Sequence, residues 1–330
     1  MQYESEVIGK EGIIARVVQA SASEYTGTVV WTLEIEYPRF ILAELNTHCM
    51  LEKNSSSSRA VPVAFQNQLL LDNPAMPVYW GKNQSGMTAK EELNDLEKEA
   101  AKGVWLQALK DALSAGKVLS DKAGLNVHKQ TTNRVTEAWQ RMRTVISGTE
   151  WANLFWLRNH PDAQPEFQEL ARVMLEAMNQ VTPKKLKAWE WHVPYVERVW
   201  RYSEISKQDE LLYFVAGTEK QLSTEEALMV SASCCAQTSY RKQDDSLEKA
   251  EEVFNRLNIG SETQPAHASP CTHQAKPIAY FWGVDNPEQG LDPKKWEDGV
   301  THMTRDKRLW SGKLKDFIQY RKLIPNEAKW

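Results

Sequence analysis

An α/β (α+β) fold, with an antiparallel sheet joined to a large helical segment, is predicted by three features of the chain. Residues 12–37 alternate as paired strands do, residues 88–178 are dominated by helical apolar stripes, and strand and helix patterns resume from residue 211. The alternation is plainest where Val29, Trp31, Leu33 and Ile35 oppose Val30, Thr32, Glu34 and Glu36, and a turn through Ser21–Gly27 makes two antiparallel strands of the segment. Pro38–Leu45 reads as a short helix that points Phe40, Ile41 and Leu45 inward and Glu44 toward the loop behind it. Asn73–Gly86, rich in Pro, Gly and Asn, reads as a long ordered loop. A helix is expected over Thr88–Ser120 on the stripe Leu93, Leu96, Ala100, Val104, Ala108, Ala112 and Leu119. A second is expected over Asn126–Val145, and a third over Gly148–Asn159, stopped by His160-Pro161. A fourth starts at Pro165 with Phe167, Leu170, Met174 and Met178 on one face.

Beyond a Trp-rich connection, Trp189–Trp200, Leu211–Ala216 has the look of a strand, and Ser223-Thr-Glu-Glu226 forms a capping box that opens a helix through Ala236. The helix after Ser246 turns Leu247, Ala250, Phe254 and Leu257 inward and ends at Gly260, and Pro277–Trp282 is the last strand candidate. Neither internal repeats nor a clean linker interrupt this order. Residues 1–330 are therefore expected to form a single domain, with 281–330 as a basic, aromatic C-terminal extension.

The chain of 330 residues is 42% apolar, enough for a sizeable core, yet its longest apolar run, Leu211–Ala216, is only a strand long. Spanning a bilayer takes about 20 apolar residues, so no membrane segment is expected. The start, MQYESEVIGKEG, lacks the sections of a signal peptide, which implies a cytoplasmic protein, or one of the host cytosol if a phage encodes it. The four cysteines, Cys49, Cys234, Cys235 and Cys271, fit a reducing compartment. A net charge of -4 with interspersed signs offers no field for nucleic acid polymers, while single nucleotides need only local cations. The chain also lacks G-x-G-x-x-G, a P-loop, H-E-x-x-H and G-x-S-x-G, which argues against a Rossmann dehydrogenase, NTPase, zincin or α/β-hydrolase.

The segment most suited to chemistry is Tyr37–Pro62, where an apolar run breaks into a polar loop holding His48, Asn54, four serines and Arg59. Hydroxyls, turn N–H groups and a guanidinium fork suit a phosphate and a planar ring. Two other constellations mix amides with arginine: Lys129, Gln130, Asn133 and Arg134, spaced four apart in pairs on a helix, and Asn153, Arg158, Asp162 and Gln164. Arg158 follows the apolar run WANLFWL, and a guanidinium buried there must find an anion, carbonyl or ligand. His267, Cys271 and His273 are zinc-ligand types, but their spacing matches no structural zinc pattern, and no metal is expected.

These residues resemble the flavin-dependent thymidylate synthases, whose signature is R-H-R-x-x-S-x-N-E-x-S-x-R-Y, and in particular their phage-encoded members. Thr47-His48-Cys49-Met50-Leu51-Glu52-Lys53-Asn54-Ser55-Ser56-Ser57-Ser58-Arg59-Ala60 stands at that place and keeps the His, the Asn, the second Ser and the final Arg. Asn153-Leu-Phe-Trp-Leu-Arg158-Asn-His-Pro-Asp-Ala-Gln164-Pro-Glu166 is similar to the family's N-F-x-x-L-R-x-x-x-x-A-Q-x-E, Ser269-Pro-Cys-Thr-His273 to its T/S-P-F-E-H, and Ser239-Tyr240 to its V-S-Y. The family commonly places the last two motifs before the long signature, so a circular permutation is implied.

The resemblance implies a flavin-dependent thymidylate synthase-like fold, a homotetramer with FAD at subunit interfaces, and transfer of a one-carbon unit from methylenetetrahydrofolate to C5 of a deoxypyrimidine monophosphate. On that view deoxyuridylate becomes thymidylate and NADPH is the reductant. His48, Asn54, Ser55, Asn153 and His273 would then approach the flavin, and Glu44, Ser57, Ser58, Arg59, Gln130 and Arg134 would hold the nucleotide, Arg134 from a neighbouring subunit. Arg158 would contact the pyrimidine ring and stabilise charge developing on it.

The chain departs from the family at five places. Thr47 and Cys49 replace both arginines that flank the histidine, Glu52 replaces a serine, Ser55 the glutamate and Ala60 the tyrosine. A thiol at Cys49 beside His48 suits a nucleophile toward pyrimidine C6. The altered loop keeps open a deoxyuridylate or deoxycytidylate 5-hydroxymethylase or other C5-modifying enzyme of phage DNA, and a nucleotide-binding oligomer without catalysis.

Overall fold

Residues 14–38 build the centre of the molecule because their alternation gives each strand two different faces. The computed structural model describes residues 3–238, 243–279, 292–325 and 327–328. Strands β1 (Ser5–Ile8), β2 (Ile14–Ser23) and β3 (Val29–Pro38) are antiparallel neighbours, as the alternation predicts. The chain then passes α1 (Leu42–Asn46), β4 (Glu52–Ser55), α2 (Val63–Asp72), α3 (Asp95–Ser120) and α4 (Lys129–Thr132) to β5 (Arg141–Gly148). After α5 (Ala152–Arg158) and α6 (Pro165–Asn179) comes β6 (Lys184–Leu186). The sheet runs β1-β2-β3-β5-β4, with β6 parallel to β2.

Register assigns the two faces. Leu33 pairs with Ile146, Ile35 with Thr144 and Tyr37 with Met142, and α6 lies on this side with Phe167, Leu170, Val173, Met174 and Ala177 fully buried. Each of these side chains larger than alanine contributes roughly 1.5–3 kcal/mol when taken from water. The opposite face is polar and carries Gln19, Ser21, Thr32, Glu34, Arg143 and Ser147. Residues from 187 onward cover it, in the order β7 (Val196–Ser203), β8 (Gln208–Val215), β9 (Gln221–Leu222), α7 (Thr224–Ala236), α8 (Leu247–Arg256), β10 (Ala275–Pro277), β11 (His302–Met303), β12 (Leu309–Ser311), β13 (Leu314–Lys315) and β14 (Phe317–Gln319). Among the described residues no helix is long and apolar enough to cross a membrane.

A covered polar face must satisfy its own hydrogen bonds. Arg198 Nη1 donates to Ser21 Oγ at 2.7 Å, and Ser21 pairs with His192 Nδ1 at 2.8 Å. His192 Nε2 pairs with Thr32 Oγ1 at 2.8 Å, Thr32 with Ser147 Oγ at 2.6 Å, and Ser147 with His273 Nδ1 at 2.8 Å. Burial, then the charge of Arg198, holds His192 well below its ordinary value, and burial pushes His273 down to about 3. Both are therefore neutral when folded, whereas the unfolded chain protonates them near their ordinary value. Stability from these two histidines is fully present above about pH 6.5 and is lost as the pH falls toward their folded values, by roughly 1 kcal/mol per pH unit for each. The urea midpoint is expected to fall from about pH 7 to about pH 5 while the imidazole NMR signals of both rings stay at their neutral positions. Rings that titrate in that interval would contradict this account.

Several elements differ from their sequence expectation. The helix expected over Asn126–Val145 is only α4 and a 3-10 stretch, Asn133–Trp139, after which the chain becomes β5. Eight residues of β5 pair with β3, and that pairing outweighs local helix propensity in a segment rich in Thr, Val and Ile. Helix α3 starts later than expected, at a capping box made by Asn94 and Glu97, and buries only Leu109 and Gly116 of its own residues. Leu96 and Val104 of the expected stripe are 83% and 72% exposed, because α3 stands off the sheet and docks chiefly through Trp105 between Trp80 and Trp139. β7 starts inside the Trp-rich connection, runs past its end at Trp200, and pairs with β8 along its whole length. The α6 face and the Ser223 capping box are as expected. Of the last strand candidate only Pro277 is in a strand, and Tyr280–Trp282 lie outside the described residues, as do Ser239 and Tyr240.

Candidate active site

Pro38 ends β3 and the chain turns through Ile41 into α1, anchored by the buried Ile41 before the helix and Leu45 within it. The next anchor is Leu51, pressed against the end of β5, where a Cβ on Gly148 would fall 2.4 Å from Leu51 Cδ2. Between these anchors the short loop buries His48 and leaves Thr47 and Cys49 exposed.

His48 meets Arg158 from the last turn of α5. Arg158 Nε donates to His48 Nε2 at 3.0 Å, and its Nη2 lies 3.5 Å from Thr47 Oγ1. Phe167 of α6 supports both: Arg158 Cζ stands 4.7 Å from its ring centroid and His48 meets it edge-on at 5.5 Å. On the other side Lys53 Nζ donates to the His48 carbonyl at 2.6 Å. Burial, then the charges of Arg158 and Lys53, push His48 down to about 4. The ring is thus neutral at pH 7 and accepts at Nε2, so it orients Arg158 and is no proton donor at that atom.

Arg158 separates two clefts. One, of 560 Å³, is lined by His48, Cys49, Glu150, Asn153, Leu157 and Trp310 among others. The other, of 960 Å³, is lined by Phe40, Glu44, Tyr79, Trp105, Gln164 and Glu166 among others. In the larger cleft Glu44 Oε2 and Gln164 Oε1 are buried acceptors without a partner, while Gln164 Nε2 donates to Glu166 Oε2 at 2.5 Å. Glu166 Oε1 accepts from the Val78 N–H at 2.8 Å, and burial, then the charge of Glu44, raises the Glu166 carboxyl. Two orphan acceptors beside a guanidinium fit a polar ring or sugar that offers N–H or O–H donors and a carbonyl.

The remaining expected residues are spread over other places. Ser57 and Ser58 line a separate 370 Å³ pocket with Gln66, Arg141 and Arg143. Arg59, Gln130 and Arg134 are exposed on a rim where α4 is stitched to the serine turn: Asn133 Nδ2 donates to the Ser58 and Val61 carbonyls at 2.8 and 3.0 Å, and Lys129 Nζ to that of Ala60 at 3.1 Å. Arg134 pairs with Glu137 at 3.3 Å. Asn54 and Ser55 are half-buried on β4, where Ser55 Oγ accepts from Thr144 Oγ1 at 2.8 Å. His273 is fully buried behind the sheet, with Nε2 unpartnered, and lines neither cleft. The apolar run before Arg158 is only partly buried: Trp151 and Leu154 are in the core but Trp156 is 81% exposed, and the guanidinium finds a histidine in place of an anion. Lys53, Phe167 and Trp310 complete the site, and of these the spacing of Phe167 on α6 gave a signal of burial but none of its contact with Arg158.

The fold is a mixed antiparallel sheet and helix that sets Arg158 between two clefts. The sequence profile of the thymidylate synthase complementing protein family matches residues 2–184, more than half of the chain, and the chain belongs to that family. Among solved structures it is similar to the UMP/dUMP methylase PolB from Streptomyces cacaoi bound with 5-Br UMP, at 16% identity and a TM-score of 0.39, over 52% of this chain and 97% of that one. It is also similar to the flavin-dependent thymidylate synthase ThyX from Helicobacter pylori complexed with FAD and dUMP, at 20% identity and a TM-score of 0.30, over 45% and 67% of the two chains. No curated protein matches.

Proposed function

We propose that the protein is a flavin-dependent enzyme that adds a one-carbon unit to C5 of deoxyuridylate, with methylenetetrahydrofolate as donor, NADPH as reductant and thymidylate as product. The observation that carries this reading is Arg158, fixed by a neutral His48 and by Phe167 on the wall between two clefts. The larger cleft takes the nucleotide, with Glu44 and Gln164 as acceptors for its donors; the smaller takes the flavin beside His48 and Asn153. Arg59, Gln130 and Arg134, exposed on the rim beside α4, serve the nucleotide site of a neighbouring subunit in a homotetramer; Ser57 and Ser58 in their separate pocket, Asn54 and Ser55 on β4, and His273 behind the sheet, line neither cleft of this chain. The chain acts as one catalytic unit over residues 1–330, with 281–330 as its extension. Bound flavin supplies the redox chemistry. The protein's part is electrostatic: a fixed cation beside the pyrimidine carbonyl stabilises charge that develops as C5 becomes nucleophilic.

Incubating the protein with FAD, deoxyuridylate or deoxycytidylate, the folate donor and NADPH, followed by mass analysis of the pyrimidine, tests the proposal. Thymidylate is the expected product, and a protein that neither binds FAD nor alters the base would refute it. A 5-hydroxymethyl product is the second reading, favoured by the loss of both arginines at Thr47 and Cys49, which changes what faces the donor.

Cys49 is the second catalytic candidate. Its exposed thiol lines the flavin-side cleft next to His48, 3.5 Å from the Thr47 carbonyl, and Lys53 lies within its electrostatic reach. Attack on C6 by that sulfur requires the pyrimidine to reach past Arg158 into this cleft, and it predicts that Cys49→Ser lowers kcat by at least about 100-fold with an unchanged melting temperature. A rate within about twofold of the wild type in single-turnover assays would leave Cys49 as a lining residue only.

A further inference from the structure

The larger cleft presents more acceptors than donors to a ring. Glu44, on α1, is joined to the loop that carries His48, because the Thr47 N–H and Oγ1 both donate to the Glu44 carbonyl, at 3.1 and 2.6 Å. Arg158 reaches the same turn, through His48 Nε2 at 3.0 Å and Thr47 Oγ1 at 3.5 Å. Gln164 stands at the N-cap of α6, and all three residues line the cleft. The Gln164 amide is fixed in orientation: its Nε2 donates to Glu166 Oε2 at 2.5 Å, and Glu166 Oε1 is held in turn by the Val78 N–H at 2.8 Å. What remains for a ligand is Gln164 Oε1 and Glu44 Oε2, both buried and without a partner. Among the described residues that line the cleft Arg158 is the one cation, and with Nε on His48 it has its two Nη groups to offer.

The two pyrimidines differ at the edge such a site would read. Uracil carries a single ring N–H between two carbonyls, whereas cytosine carries an amino group with two N–H donors beside a bare N3 and the C2 carbonyl. With the guanidinium on one carbonyl, uracil meets one orphan acceptor through N3–H and turns its second carbonyl toward the other, acceptor against acceptor. Cytosine gives each acceptor an N–H of its amino group and leaves N3 and O2 side by side, the pair that two parallel guanidinium donors match. A buried acceptor left unpaired opposes binding, and a charged one does so more strongly.

We propose that the larger cleft takes deoxycytidylate as a further nucleotide, with Glu44 as the residue that reads the 4-amino group and Gln164 as its second acceptor. The inference rests on the reading of this cleft as the nucleotide site.

Calorimetric titration with deoxycytidylate and with deoxyuridylate, with FAD present, tests it in the wild type and in Glu44→Gln. The two nucleotides share sugar and phosphate, so the ratio of their dissociation constants isolates the base edge. The wild type is expected to bind deoxycytidylate within about threefold of deoxyuridylate or more tightly. Glu44→Gln keeps the shape and can turn an N–H toward the C4 carbonyl, so it is expected to move the ratio roughly tenfold toward deoxyuridylate. A purely structural role would shift both constants by the same factor. A wild type that prefers deoxyuridylate by more than about threefold, or a ratio that Glu44→Gln moves by less than about threefold, overturns the proposal and leaves the nucleotide site standing. Should Glu44→Gln fail to fold, the wild-type ratio decides. If neither nucleotide binds, the nucleotide reading falls and the proposal with it.

Discussion

Arg158→Ala is expected to lower kcat by roughly 10²–10³-fold while the protein stays folded. The guanidinium touches His48, Thr47 and the face of Phe167, and it borders both clefts, so its removal takes the fixed positive charge from the wall between two bound rings. The cost in stability is small by comparison, because a half-exposed cation over an aromatic ring contributes about 0.5–1 kcal/mol. Arg158→Lys separates charge from shape. A lysine restores a point charge but neither the bond to His48 nor the planar fork, and kcat is expected between those of the wild type and the alanine variant. The loss should appear in kcat/KM and kcat together, as befits an interaction that strengthens in the transition state. Near-normal turnover by Arg158→Ala would remove Arg158 from the mechanism. His48 offers a second readout: without the Arg158 charge its ring should titrate at a higher pH by NMR, since that charge is one of the causes that hold it down.

The parts of this site that sequence reasoning reached are those fixed by local pattern. Pro38, Ile41 and Leu45 set the turn that delivers His48, and the stripe Phe167, Leu170, Met174 and Met178 places α6 under the sheet. Arg158 was marked by its apolar neighbours, although Trp156 proves to be exposed and the partner of Arg158 is a neutral ring. Long-range pairing hid the rest. Nothing local tells that residues 141–148 become the strand between β3 and β4, which is what turns Ser57 and Ser58 toward Arg143 and away from His48. Likewise Glu52 stands out as an oddity in the signature until the chain returns 261 residues later with Lys313. The basic, aromatic extension carries no local mark of where it packs, and only the fold brings Trp310 to the cleft.

Glu34→Ala is expected to destabilise the fold by about 3–5 kcal/mol, more than any other single charge change in the sheet. Glu34 is 1% exposed and accepts from Tyr3 Oη at 2.9 Å, Tyr195 Oη at 3.0 Å and Arg143 Nη2 at 2.6 Å, with Arg16 Nη1 at 3.4 Å. The carboxylate is fully satisfied, so its burial is tolerated; the expense lies in what its removal leaves behind. Arg143, whose Nε already lacks a partner, would keep its charge in the covered polar face, and both phenols would lose their acceptor. Tyr3 and Tyr195 are raised above the ordinary phenol range by burial first and by Glu34 next, so they stay protonated donors and cannot replace the lost negative charge. Glu34→Gln keeps the shape and one acceptor but not the charge, and its loss should be intermediate. Because Tyr195 comes from the C-terminal cover and Arg143 from the family-matched sheet, the same carboxylate joins the two parts of the chain. Urea denaturation of both variants measures the effect. The expected result is a lower midpoint for Glu34→Ala together with a loss of binding at the clefts near the transition, as the cover that carries Trp310 loosens from the sheet. An unfolding free energy within about 0.5 kcal/mol of the wild type would show that Arg143 and Arg16 find other partners, Arg16 being already paired with Glu6 and, at 2.5 Å, with Glu36.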